Sequence, residues 1–352
     1  MEPLEIQSVT DGALLAELTP SAERLLDRHL ATAREWFPHE LIPWSRARDH
    51  VPGELWDPDA FPLPDAVRSA LAVNLLTEDN LPYYFRIIES TFGTEGPWGG
   101  WVRRWTAEEG RHSIAIRDYV TVTGALDPVD LERGRMHQVT GGVVPAPPSV
   151  LDAMVYVTLQ ELATRVSHRA TGKLLGDDAG YAVMARVAAD ENLHYLFYRD
   201  LVDDALAIDP SGTVMAIERQ VRNFEMPGTG IQDFTTHALA IAKAGIYNHQ
   251  VHHEQILVPV VLRHWAVGDL TGLDAPADQA RDALIRRIER LGKAGRRMSE
   301  RWAAGDAGAD VIPGATPDAS LLVTAAAHAS SDAAARARVE EPLGRGMAPS
   351  SS

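Results

Sequence analysis

Glu109-Gly110-Arg111-His112 and Glu191-Asn192-Leu193-His194 are two copies of one pattern, Glu-x-x-His, each well inside a stretch whose apolar residues recur every three to four positions. In a helix, residues three apart lie on one face, so the carboxylate and imidazole of each copy can grip a single ion. One such pair is weak, because acidic residues and histidines populate the solvated faces of most helices. The setting adds weight. Each copy is preceded by another long helical pattern carrying a glutamate among apolar residues: Glu78 within residues 70–79, and Glu161 within residues 155–163. The spacing nearly repeats, Glu78 preceding Glu109 by 31 residues and Glu161 preceding Glu191 by 30. Two helix pairs, each giving Glu and then Glu-x-x-His, form the ligand set of a di-iron or di-manganese carboxylate bundle.

Electrostatics points the same way. Four carboxylates converging in a bundle core are strongly disfavoured, since each buried unpaired ion costs several kcal/mol. Two divalent cations cancel them. The chain has no cysteine, which excludes disulfides, thiolate zinc sites, iron–sulfur clusters and a catalytic thiol. Oxygen-rich ligation with one histidine per metal suits iron, with manganese as a substitute, better than zinc. The bland alternative is two solvated helix faces that merely look alike.

Further helical patterns cover residues 12–34, 66–94, 100–124, 150–173, 178–206, 213–225, 231–265 and 276–303, separated by turn chemistry such as Gly124 with Pro128, Gly176-Asp177 and Asp209-Pro210. Between Phe37 and Asp65, six prolines mark an irregular connection. Alternating strand patterns are nearly absent, so the fold class is all-α: a four-helix bundle core with additional packed helices. Residues 1–305 form the expected metal-binding domain. From 306 to 352 the composition shifts to Ala, Asp, Gly, Ser and Pro, which reads as a mobile tail with a short helix around 319–338.

The 352 residues carry a formal charge of −16, which argues against general affinity for nucleic acid or an anionic membrane. The acidic start lacks a signal-peptide pattern, and apolar runs such as Ile256–Leu262 fall short of a membrane span. A cytoplasmic protein is expected. Against this charge, residues 281–301 hold eight basic and three acidic side chains, either a solvated helix face or a landing site for an acidic partner. Thr164, three residues after Glu161, can reach a ligand or simply bond back to the carbonyl of residue 160. Pro82 cannot donate to the carbonyl of Glu78 and is expected to loosen or kink the helix there. His249-Gln250-Val251-His252-His253 spells a membrane-desaturase histidine box, but without further boxes or spans it reads as a polar helix face.

With these residues in view, the chain resembles the soluble acyl-acyl-carrier-protein desaturases, a ferritin-like di-iron family. The matching phrases are Thr77-Glu-Asp-Asn-Leu-Pro-Tyr-Tyr84, Trp105-Thr-Ala-Glu-Glu-Gly-Arg-His112, Gln160-Glu-Leu-Ala-Thr164 with Ser167-His168, and Ala189-Asp-Glu-Asn-Leu-His194; residues 208–214 and 265–273 also match. The resemblance implies iron-ligand roles for Glu78, Glu109, His112, Glu161, Glu191 and His194, the set reached from spacing. It gives Thr164 a catalytic place near the oxygen-binding side and puts Trp56 and Asp190 on an electron path. The family often has Asn at Gly110 and a basic residue at Leu162, departures that remove no ligand.

The implied reaction is O2-dependent insertion of a cis double bond into an acyl chain on acyl carrier protein, with a ferredoxin-like electron donor and a homodimeric enzyme. Tyr84, Ile87, Ile88, Thr91 and Trp105 are candidates to line an acyl channel. Arg286, Arg287, Arg290 and Lys293 are candidates to receive the acidic carrier, with Arg46 and Arg48 behind them. Two rival readings share the ligands: a bundle oxygenase or hydroxylase acting on a carrier-tethered or free substrate, and a non-catalytic ferritin-like iron-binding protein.

Overall fold

A computed structural model describes residues 10–305 except 142, 143, 145, 227 and 229. The tail at 306–352 lies outside the described residues. In chain order the α-helices are α1 (Asp11–Thr32), α2 (Pro38–Leu41), α3 (Asp65–Glu78), α4 (Leu81–Phe92), α5 (Gly96–Thr123), α6 (Pro128–Gly141), α7 (Val150–Leu174), α8 (Asp178–Ile208), α9 (Pro210–Arg222), α10 (Phe234–Lys243), α11 (His249–His252) and α12 (Ala275–Ala303). No strand occurs among the described residues, and no helix there is long and apolar enough to cross a membrane.

The helices start where side chains can satisfy the free amides of a first turn. Ser149 caps α7, Asp177 caps α8, and Asp274 caps α12. Helix α5 ends at Gly124, whose left-handed φ of 68° suits glycine. Gly180 permits close approach of α8 to α5: a Cβ there would meet the Tyr119 hydroxyl at 2.4 Å.

Helices α3, α5, α7 and α8 close into a ring around the core, with α7 and α8 sharing the largest contact. Helix α1 packs along α5 and α8, and α4 along α5 and α7. Helix α9 joins α7 and α8 to α12. The main core runs from Leu14 and Leu25 of α1 through Trp101, Met154 and Phe197 to Leu284 and Ile288 of α12.

Three departures from the sequence patterns matter for the site. The pattern over 66–94 is two helices, α3 ending at Glu78 and α4 starting at Leu81, so the loosening expected from Pro82 is a full break. The pattern over 231–265 divides into α10, α11 and a π-helix at His253–His264 that contains Pro259. Helix α6 has no counterpart among the patterns, because Val129, Met136 and Val139 face solvent and only Gln138 is buried, leaving no apolar stripe to read.

Candidate metal centre

The six side chains drawn from four helices converge in the middle of the ring. Glu78 closes α3, Glu109 and His112 lie one turn apart in α5, Glu161 is mid-α7, and Glu191 and His194 are mid-α8; all six are buried. They fall into two overlapping groups, Glu78, Glu109, His112 and Glu191, and Glu109, Glu161, Glu191 and His194, each offering ligand atoms within 4.8 Å of one another. Glu109 and Glu191 belong to both. Each turns one oxygen to either side: Glu109 Oε1 lies 2.8 Å from His194 Nδ1 and its Oε2 3.6 Å from His112 Nδ1. Glu191 Oε1 lies 3.4 Å from His112 Nδ1 and its Oε2 4.0 Å from His194 Nδ1. That is the disposition of carboxylates able to bridge two cations.

The residues fit such cations on independent grounds. His112 Nδ1, His194 Nδ1, Glu109 Oε1 and Glu161 Oε2 are buried and none makes a well-directed hydrogen bond, although His194 Nδ1 and Glu109 Oε1 lie 2.8 Å apart, a costly state for so many polar atoms unless something binds them. The outer nitrogens are fixed instead: His112 Nε2 donates to Asp190 Oδ2 (3.4 Å) and His194 Nε2 to Glu108 Oε2 (3.0 Å). Carboxylates behind the imidazoles set the tautomer that leaves each Nδ1 lone pair for an ion. Sequence reasoning missed Glu108 and its second partner, buried His29 at 2.9 Å; Glu108 was hidden as the neighbour of a ligand.

Without cations, burial followed by the charges of neighbouring carboxylates raises Glu78 and Glu161 well above the usual carboxylate range. Burial acts to lower His112 and His194, but the surrounding carboxylates outweigh it and raise both. Thr164 does both things its position allowed: its hydroxyl lies 3.0 Å from the Glu161 carbonyl and 3.2 Å from that of Gln160, and 3.1 Å from Glu191 Oε2. His168, within the Ser167-His168 match, reaches Glu78 Oε1 at 3.0 Å.

The two residues expected on an electron path are not neighbours. Trp56 does not reach Asp190; its indole donates to the Gly124 carbonyl. Trp36 takes that place, donating to Asp190 Oδ2 at 2.8 Å. Burial acts to raise Asp190, but hydrogen bonds from His112 and Trp36 and the charge of Arg186 outweigh it and hold the carboxyl at about 2.

A sequence profile described as fatty acid desaturase matches residues 10–310. The chain belongs to that family. DesA1 of Mycobacterium tuberculosis, named as an acyl-[acyl-carrier-protein] desaturase, is 41% identical over 293 residues, 80% of this chain and 86% of that protein. Stearoyl-[acyl-carrier-protein] 9-desaturase 6 of Arabidopsis thaliana is 30% identical over 319 residues, 85% and 80% of the two chains. The X-ray structure of DesA2 from Mycobacterium tuberculosis, described as an acyl-ACP desaturase, aligns with a TM-score of 0.60 at 26% identity, covering 76% of this chain and 99% of that one. The family introduces double bonds into acyl chains on acyl carrier protein, which makes this member an oxidoreductase of all-helical, ferritin-like fold.

For a desaturase the space beside the ligands matters as much as the ligands. A cavity of about 380 Å³ is lined by Tyr84, Ile87, Ile88, Thr91 and Trp105, all five of the residues expected at a channel. The Trp105 indole also donates to Glu161 Oε1 at 3.0 Å, so this wall touches the ligand set. A smaller cavity of about 50 Å³ borders Glu78, Thr164 and His168. Met226 lines both.

The basic face is only partly as expected. Arg286, Arg290 and Lys293 are exposed on α12. Arg287 is a correction: it points inward, 9% exposed, and donates to the Arg222 carbonyl. Behind them, Arg46 is paired with Asp177 and Arg48 with Glu54. The Arg287 bond ties the basic face to the end of α9, one residue from Asn223, which lines the larger cavity.

Proposed function

We propose that this chain is a cytoplasmic, homodimeric acyl-acyl-carrier-protein desaturase holding two iron ions on Glu78, Glu109, His112, Glu161, Glu191 and His194. The observation that carries the reading is the two-sided disposition of Glu109 and Glu191 between His112 and His194, beside a cavity of about 380 Å³. When bound, the metal pair supplies reductive activation of dioxygen to a species able to take hydrogen from an unactivated methylene.

The chain's own residues supply placement. Tyr84, Ile87, Ile88 and Thr91 offer an acyl chain a continuous wall, and Trp105 fixes Glu161 where that wall meets the site. Rigid walls fix which carbons lie nearest the site, and orientation alone can contribute several kcal/mol to a barrier. The Thr164 hydroxyl, within reach of Glu191, is placed to donate to an oxygen atom at the site. Asp190 and Glu108 hold the imidazoles, and Trp36 links Asp190 toward the surface, where an electron donor of ferredoxin type would act. Arg286, Arg290 and Lys293 offer an acidic carrier protein three cations without an ion-pair partner among the described residues.

The test is anaerobic iron loading and chemical reduction, then incubation with dioxygen and acyl carrier protein bearing acyl chains of different lengths. Mass spectrometry should show loss of two hydrogens. Gain of an oxygen atom instead assigns the chain to the oxygenases, and iron binding with no reaction of the reduced protein toward dioxygen assigns it to non-catalytic bundles.

A further inference from the structure

Trp36 is the one aromatic residue among the described residues that carries two guanidiniums. Arg111 lies 4.5 Å from its ring centroid and Arg186 5.5 Å. Both also bond to Asp190, the acceptor of the Trp36 indole N–H. The side chains of Arg111 and Arg186 are 21% and 20% exposed, so Trp36 stands between solvent and a chain of contacts leading through Asp190 to His112. Trp105 makes a contrast: it donates directly to Glu161, and no arginine among the described residues stacks on it.

We propose that Arg111 and Arg186 guard Trp36 against one-electron oxidation, so that electrons from a donor can cross the Trp36–Asp190–His112 contacts while the indole itself is not consumed as the electron source. The biological need for such a guard rests on the function proposed above; the tuning of Trp36 does not. In the suppressed step, the indole gives one electron to an oxidant formed from dioxygen at the metal pair. That oxidant is reduced by one electron, and the product is an indole radical cation whose proton stays on Nε1. Two cations stacked at these distances stabilise the neutral ring through its quadrupole and repel the positive charge of the oxidised one. They also act on Asp190. A lone carboxylate accepting the indole N–H would draw its proton and ease electron loss, whereas one bonded to two guanidiniums has its negative charge largely compensated. Packing alone does not call for this: a neutral side chain could cover the ring, and one arginine would satisfy Asp190.

The test uses the metal-free, full-length protein and a one-electron photo-oxidant, a tris(bipyridyl)ruthenium sensitiser with a cobalt(III) electron acceptor. Peptide mass spectrometry reads oxygenated Trp36 relative to Trp105, which serves as the internal reference. Arg186→Gln and Arg111→Gln are each expected to raise that ratio by about tenfold, the scale of one desolvated cation–π contact. Arg186→Lys, which keeps the charge, is expected to stay near the unsubstituted protein. An unchanged ratio in both glutamine variants overturns the proposal, as does an equal rise in Arg186→Lys, which would make the contact one of shape. In a second arm, iron-loaded, reduced protein meets dioxygen without acyl substrate, and Trp36 oxidation is expected to rise in the glutamine variants there too. A rise in the photochemical arm with none in the iron arm upholds the tuning of Trp36 and counts instead against an oxidant at the metal pair.

Discussion

In the half of the site built on α3 and α5, Glu78 stands at the last residue of a broken helix, and His112 leans on Asp190, which is wired to Trp36, Arg111 and Arg186 near the surface. In the half built on α7 and α8, Glu161 is deep inside an unbroken helix, and His194 leans on Glu108, which is bonded by buried His29 and by the half-exposed Arg104 at 2.5 Å. The ligand types are the same on both sides. What differs is the layer behind them: the carboxylate behind His112 is joined to an indole, and the one behind His194 to a second imidazole. A repeated motif thus fixes where ions go without fixing what each half does.

The largest effects should come from residues common to both halves. Glu191→Ala or Glu109→Ala is expected to abolish loading of both ions, whereas Glu78→Ala or Glu161→Ala costs one; elemental analysis of purified protein separates the outcomes. Equal losses from all four would erase the distinction between shared and private ligands. Next come the outer carboxylates. Asp190→Asn and Glu108→Gln are each expected to lower metal affinity about 10–100-fold, but only Asp190→Asn should also slow reduction of the loaded site by an external donor, read by stopped-flow absorbance.

Acid weakens both halves together. Glu78, Glu161, His112 and His194 have raised pKa values without metal, so they hold protons that cations must displace. Affinity therefore falls as pH falls, and metal titration in weak buffer should release protons; calorimetry in buffers of different ionisation enthalpy would count them. The smallest effect lies farthest away. Arg286→Glu with Arg290→Glu is expected to raise KM for carrier-bound substrate about tenfold at low salt, with iron content intact. Unchanged low-salt kinetics removes α12 from the docking assignment.

The convergence of the six candidate ligands was legible because helical phase is strict: three-residue spacing on apolar-periodic segments leaves carboxylate and imidazole no choice of face. Where phase is missing, the sequence is silent. Trp36-Phe37-Pro38 and Trp56-Asp57-Pro58 are the same local signal in a proline-rich connection, and nothing periodic says which indole turns inward. Arg287 is a different lesson, since the information was present: Leu284, Ile288 and Leu291 mark the inner face of α12, and Arg287 falls on it. The candidate channel residues of α4 came from the family resemblance and not from periodicity, and they line one cavity although the helix breaks after Glu78. Helix α6 stayed hidden for want of any such face.

That break has a consequence for the order of events at assembly. A carboxylate on the last residue of a helix adjusts its grip more readily than one clamped mid-coil, so we expect occupancy to be sequential, the ion beside Glu161 and His194 arriving first and departing last. Stepwise addition of cobalt(II), followed by its visible spectrum, would show two resolved stages; a single cooperative stage would mean that the bridging pair overrides the hinge.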